Sequence, residues 1–216
     1  MSGRALRGAA ARAVPAGPLA GLVLAAALLA PVGLAAQDAA NHAPARPPDA
    51  STPEAATLSL VESIRAADYE RMADLMHPDA LEELRRLFEP ILEAPEMADF
   101  RQEIFGVSST DSATALSGRA IYETIISFAL GSDPATAAAM QSVRAEVVGH
   151  VAEGDTAHVV YRMNMNVEGF ELAQTAVASF REHEGRWLGL LTADIRGMIA
   201  GLRQALEQQR EAPGGP

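Results

Sequence analysis

The stretch Val143–Val167, VRAEVVGHVAEGDTAHVVYRMNMNV, repeats with a period of two. Val143, Ala145, Val147 and Val151 alternate with Arg144, Glu146 and His150. Val159, Tyr161, Met163, Met165 and Val167 alternate with His158, Arg162, Asn164 and Asn166. Each run is a strand with one apolar and one mostly polar face. A one-residue slip would move every side chain to the wrong face. Keeping the apolar residues together requires a turn around Glu153-Gly154-Asp155 that joins Ala152 to Thr156. This register sets Glu146 opposite Arg162 and His150 opposite His158. Two more turns, Glu168-Gly169 and Glu184-Gly185, lead into strands Phe170–Glu182 and Arg186–Leu191. The first of these pairs Val167 with Phe170, Met165 with Leu172 and Tyr161 with Ala176. A four-stranded antiparallel meander results, with Val147, Val159, Tyr161, Met163, Met165, Leu172, Phe180, Trp187 and Leu191 on its apolar face.

Upstream the period is helical. Ser51 and Glu54 have capping-box spacing, and Leu58, Val61 and Ile64 recur one turn apart. Asp68 caps a short helix, Tyr69–Met76, which His77-Pro78 ends. Asp79 opens a third helix with Leu81, Leu84, Phe88 and Ile91 on one face and a kink at Pro90. Further pieces follow at Glu96–Phe105, Gly118–Leu130 and Pro134–Met140. After the strands, Asp194 caps a last helix carrying Ile195, Met198, Ile199, Leu202 and Leu206. The expected fold class is α+β: N-terminal helices packed on a curved four-stranded antiparallel meander, with a C-terminal helix.

Outside this unit, composition changes. Arg4, Arg7 and Arg12 precede an apolar run, Leu19–Ala30, then Pro31-Val32-Gly33 and the small residues Ala35-Ala36. These are the parts of a signal peptide over residues 1–36, and they imply an exported protein, periplasmic or extracellular. Residues 37–53, rich in Pro and Ala, read as a disordered tether, and residues 211–216 as a disordered tail. The domain spans 54–210. Removing the leader takes the formal charge from −11 to −14, a field that disfavours nucleic acid and anionic membrane surfaces. The chain has no Cys, so its stability rests on an apolar core.

Three stretches carry a family resemblance. Ala66-Ala67-Asp68-Tyr69-Glu70 with Leu75-Met76-His77-Pro78-Asp79-Ala80 resembles a helix–helix junction, Ala152 to Tyr161 a central hairpin, and Glu184-Gly185-Arg186-Trp187 a closing turn. Together they resemble the nuclear transport factor 2-like superfamily of cone-shaped α+β domains, over roughly Glu54 to Leu206. That resemblance implies a cone serving an enzyme, a small-molecule binder or an association module.

Acid–base enzymes need an ionisable group in an apolar pocket. The inward strand positions here are Val, Met, Ala, Leu, Phe and Trp, with Tyr161 alone polar-capable. No catalytic residue and no cofactor is assigned. The expected function is a non-catalytic module that binds a small apolar ligand in its cone or mediates protein association. The alternative is an acid–base isomerase, lyase or hydrolase of the superfamily with an unplaced residue. The expected pocket comprises Tyr161, Met163, Met165, Phe88, Tyr122 and Trp187. His150 and His158 lack the further ligands zinc requires, so no metal site is assigned. On the polar face Val148, Val160, Val177 and Leu190 form an apolar strip, the expected interface of a homodimer unless the last helix folds over it.

Overall fold

The structure is a computed structural model that describes residues 47–167 and 169–211. The leader, residues 37–46 of the tether, Glu168 and residues 212–216 lie outside the described residues. Among the described residues, eight α-helices, a short 3-10 turn at Pro95–Met97 and a four-stranded antiparallel sheet make up the fold, α+β in class, with strand order β1-β2-β3-β4 and the sheet left open. The helices are α1 Pro53–Ala66, α2 Tyr69–Asp74, α3 Pro78–Glu93, α4 Ala98–Phe105, α5 Thr110–Thr114, α6 Gly118–Gly131, α7 Pro134–Gln141 and α8 Ala193–Glu211. The strands are β1 Arg144–Glu153, β2 Thr156–Val167, β3 Phe170–His183 and β4 Arg186–Gly189.

Helix starts follow local side-chain chemistry. Thr52, Asp68, Ser109, Ser117 and Asp133 each accept a bond from a backbone N–H one turn on. The cap of α1 is thus Thr52 rather than Ser51, whose hydroxyl donates to Asp49. The last helix is capped by Thr192, which accepts from Ile195 N–H, two residues before the position expected from Asp194. Pro90 sits inside α3, which runs on to Glu93. Arg101, buried, donates to the carbonyls of Leu92 at 3.1 Å and Ala94 at 2.6 Å, closing the C-terminus of α3.

The apolar side chains form two clusters. The larger lies among the helices, with Leu84, Phe88, Ile91, Ile121, Ile126 and Ile199 at its centre. The smaller lies between α1 and the sheet, with Ala56, Leu75, Val159, Ala178 and Phe180. Small residues on α1 let it approach the strands, and Thr57 and Ser63 satisfy their buried hydroxyls on carbonyls four residues back. Leu58, expected on the buried face, points outward. Gly118 is required where α6 crosses α3: a Cβ there would collide with the Leu81 carbonyl.

Register matches expectation between β2 and β3, with Val167 facing Phe170, Met165 facing Leu172 and Tyr161 facing Ala176. Between β1 and β2 it differs. Glu146 faces Arg162 as expected, but a bulge at Val148 shifts the ladder, so His150 faces Val159 and Val151 faces His158. The hairpin closes with Glu153 facing Thr156 around Gly154, whose φ is +64°. The turn is one residue shorter than expected, and the bulge supplies the missing residue. His150 therefore turns to the helix side, where its Nδ1 pairs with Glu54 at the start of α1. It is not beside His158.

The free edge of β4 is closed by two other segments. Trp187 N–H donates to Ala50 C=O at 2.7 Å, Gly189 N–H to Leu75 C=O at 2.7 Å, and His77 N–H to Gly189 C=O at 2.9 Å. Ala50 is buried there, so this part of the stretch expected to be tether packs against the sheet. β4 ends at Gly189 rather than Leu191, and the chain then leaves the sheet for α8.

Candidate functional site: an open cleft beside strand β3

Where β4 stops, β3 continues for ten more residues toward its start at Phe170. The departing segment Leu190–Asp194, the inner face of β2 and β3, and the ends of α1, α6 and α7 enclose a cleft of about 680 Å3. Its floor is apolar: Ile64, Leu130, Met140, Met163, Ala176 and Leu191. The polar lining residues are Tyr161, Gln174, Thr175, Ser179, Thr192, and Asp194 at the rim beside Arg196. Arg196 is held by Glu83, with Nε and Nη2 donating to the carboxylate at 2.7 and 3.1 Å. Burial pushes the Tyr161 phenol above its ordinary value, so at neutral pH it is a donor or acceptor rather than a base. A volume of this size suits a drug-sized apolar group fixed by a few polar contacts.

The expected pocket residues separate. Tyr161 and Met163 line the cleft, and Met165 is half-buried at the edge of the helical cluster. Phe88 and Tyr122 are packed inside that cluster, whereas Trp187 packs against the sheet cluster. Alternation along one strand puts Tyr161 and Met163 on the face that lines the cleft. Which helix face meets the sheet depends on long-range packing, which puts Phe88 and Tyr122 among the helices. Ile64, Leu130 and Met140 also line the cleft, and sequence does not mark them, since an apolar helix residue lining a cleft has the same local signature as one in a core.

The outer sheet face carries an exposed strip. Val148 is 62% and Val177 56% exposed, with Val160 half-buried between them. The bulge adds Val151 to this face, opposite His158. Leu190 turns into the cleft lining. The apolar side of α8 packs against the helical core through Ile195, Met198, Ile199 and Leu202, so the helix does not fold over the strip. His158 Nδ1 meets Ser179 Oγ at 2.9 Å. Among the described residues no three His, Cys, Asp or Glu side chains gather as a metal site.

A second polar cluster lies at the start of α3. His77 caps this helix, its Nδ1 accepting from Asp79 N–H at 3.1 Å, where the sequence suggested a terminator. Its ring meets His183 edge-on at 5.1 Å, and Arg181 lies 3.6 Å from Asp79 and 3.5 Å from Asp155. Burial lowers the His77 pKa; the Asp79 and Asp155 charges oppose this, and His183 and Arg181 reinforce it.

No family model matches the chain, and no curated protein matches it. Among solved structures it is similar to a SEC-C motif containing protein from Rhodopseudomonas palustris, at 16% identity and a TM-score of 0.35, over 66% of this chain and 77% of that one. These findings correct the nuclear transport factor 2-like assignment: the superfamily finds no support in any family model, and the neighbour found is a SEC-C motif protein instead. The three stretches behind that resemblance are a helix junction and two tight turns, local solutions that many α+β folds share. At this TM-score neither the fold nor the function of that neighbour is transferred to the chain.

Proposed function

We propose that this protein is a non-catalytic binding module that receives apolar groups in the cleft beside β3. The observation that supports the reading is the cleft itself, an apolar floor of about 680 Å3 left open where β4 ends. Its polar groups suit orientation of a ligand rather than proton transfer, because Tyr161 is held protonated and Asp194 stands exposed at the rim. Met140 and Met163 give the floor adaptable side chains. In dilute solution the uncharged probe N-phenyl-1-naphthylamine should brighten on binding, and Met163→Glu should abolish the effect while leaving the fold intact. Absence of enhancement with the protein in its monomeric form would refute the reading.

Export belongs to the same proposal and rests on residues 1–36 alone, which lie outside the described residues. N-terminal sequencing of the native protein should begin at Ala36 or Gln37, and an intact Met1 would overturn it. Among the described residues no helix is long and apolar enough to cross a membrane.

A further inference from the structure

Strand edges invite pairing with other chains, and folds normally close them. Two of the edges here are managed. The β4 edge is bonded to Ala50, Leu75 and His77, and the β1 edge is broken by the bulge at Val148 and carries Arg144, Glu146 and Glu153. The edge of β3 beyond β4 is not. Ser179 accepts from Leu190 N–H at 2.8 Å, which fixes the side to which alternate residues point. Val177, Thr175, Ala173 and Glu171 therefore turn N–H and C=O outward along the same edge, and no strand of the described residues pairs with them there. Thr175 and Val177 border the cleft. The segment contains no Pro and one charge, Glu171.

The same segment carries the protein's most exposed aromatic side chain among the described residues. Phe170 is 73% and Leu172 43% exposed, both on the cleft side of the sheet. We propose that two copies of this chain pair antiparallel through this β3 edge, about a two-fold axis at Gln174, so that each copy's Leu172 and Phe170 enter the other's cleft. The pairing rests on the cleft reading above and names the cleft's occupant.

Three features select a second copy over an unrelated partner. Antiparallel pairing about Gln174 sets Leu172 opposite the second copy's Ala176 and Phe170 opposite its Ala178, large against small, at the mouth of an apolar cleft. It sets Glu171 opposite Val177, so no like charges meet, in a chain whose net charge of −11 otherwise opposes self-association. It matches outward-facing donors and acceptors on both copies, Ala173 with Thr175 and Glu171 with Val177, as an isologous contact requires. The outer strip of Val148, Val160 and Val177 is a separate surface, and the same experiment tests it.

The absence of Cys makes cross-linking clean. Gln174→Cys would face its own copy at about 4.5 Å between Cα atoms in a non-hydrogen-bonded pair, within disulfide range. Under air oxidation Gln174→Cys should form a covalent dimer and Val160→Cys, on the outer face, should not. Light scattering of the native protein at micromolar concentration should give twice the chain mass, and Thr175→Pro should halve it. Thr175 N–H faces the open edge, so this change removes no bond within the subunit. Ala173→Arg, also outward-facing, serves the same purpose if the proline variant fails to fold. A monomeric native protein overturns the pairing, as does a dimer that survives both edge variants or cross-links through Val160→Cys. A monomer that still binds N-phenyl-1-naphthylamine leaves the cleft reading standing while removing the pairing. An edge-variant monomer that binds no probe removes the cleft reading itself.

Discussion

His77 makes a pH prediction whose sign is set by its position. It is 4% exposed, caps α3 through Nδ1, and faces Asp79, Asp155, His183 and Arg181. Capping needs an unprotonated Nδ1, and a positive charge at a helix N-terminus opposes the dipole. The folded-state pKa accordingly lies below the ordinary histidine value, with burial the main cause. For a base with a depressed folded pKa, the unfolded chain takes up the proton first. Stability from this group is therefore complete above about pH 6.5 and declines as pH falls from there toward the folded value. His77→Ala should cost about 0.5–2 kcal/mol at pH 7.5 through the lost cap, with a further loss from the vacated ring. His77→Asn keeps an oxygen acceptor at the cap and cannot titrate. Urea melts between about pH 5 and 8 should show the native protein losing stability relative to His77→Asn as pH falls. Parallel profiles for the two proteins would refute the argument, because His183, His158 and His150 remain in both.

Other substitutions test the packing. Gly118→Ala should destabilise by roughly 1–3 kcal/mol or more, since the clash is with backbone at Leu81 and cannot be relieved by a rotamer change; a neutral thermal melt would place the α3–α6 crossing wrongly. Phe88→Ala, in the helical cluster, should cost about 3–5 kcal/mol, and Trp187→Ala less because the indole is half-buried; the reverse order in denaturant melts would contradict the division into two clusters. Arg101→Met leaves the Leu92 and Ala94 carbonyls without their donor and should cost about 1–3 kcal/mol for each, seen as a lower urea midpoint.

Most elements were legible from local rules, the five-residue α5 at Thr110–Thr114 being the exception. Alternation over Val159–Val167 and helical spacing from Leu81 to Ile91 are properties of neighbouring residues, and a glycine or a capping side chain marks most boundaries. The β2–β3 register was fixed by sequence because its apolar residues share one face and a slip would expose them all. The β1–β2 hairpin shows the limit of that argument. A longer turn without a bulge and a shorter turn with one place Glu146 opposite Arg162 equally well; the structure takes the second, with Gly154 in the tight turn and His150 turned toward Glu54 on α1. His77 has the same character: before a proline it reads as a stop, and it becomes a cap because the preceding residues are tied to β4.

The sequence by itself determined the class of the fold, the order of its elements and the apolar lining of the inner sheet face, since each is encoded within a few residues. Tertiary structure alone decided how far β4 runs, which helix faces cover the sheet, and so where β3 is left with an open edge and a cleft. Coverage of one element by another depends on where distant segments meet: α8 packs on α3 instead of crossing the sheet, and Ala50 and Leu75 close β4 instead of lengthening it. No period within a strand records which neighbour will lie beside it.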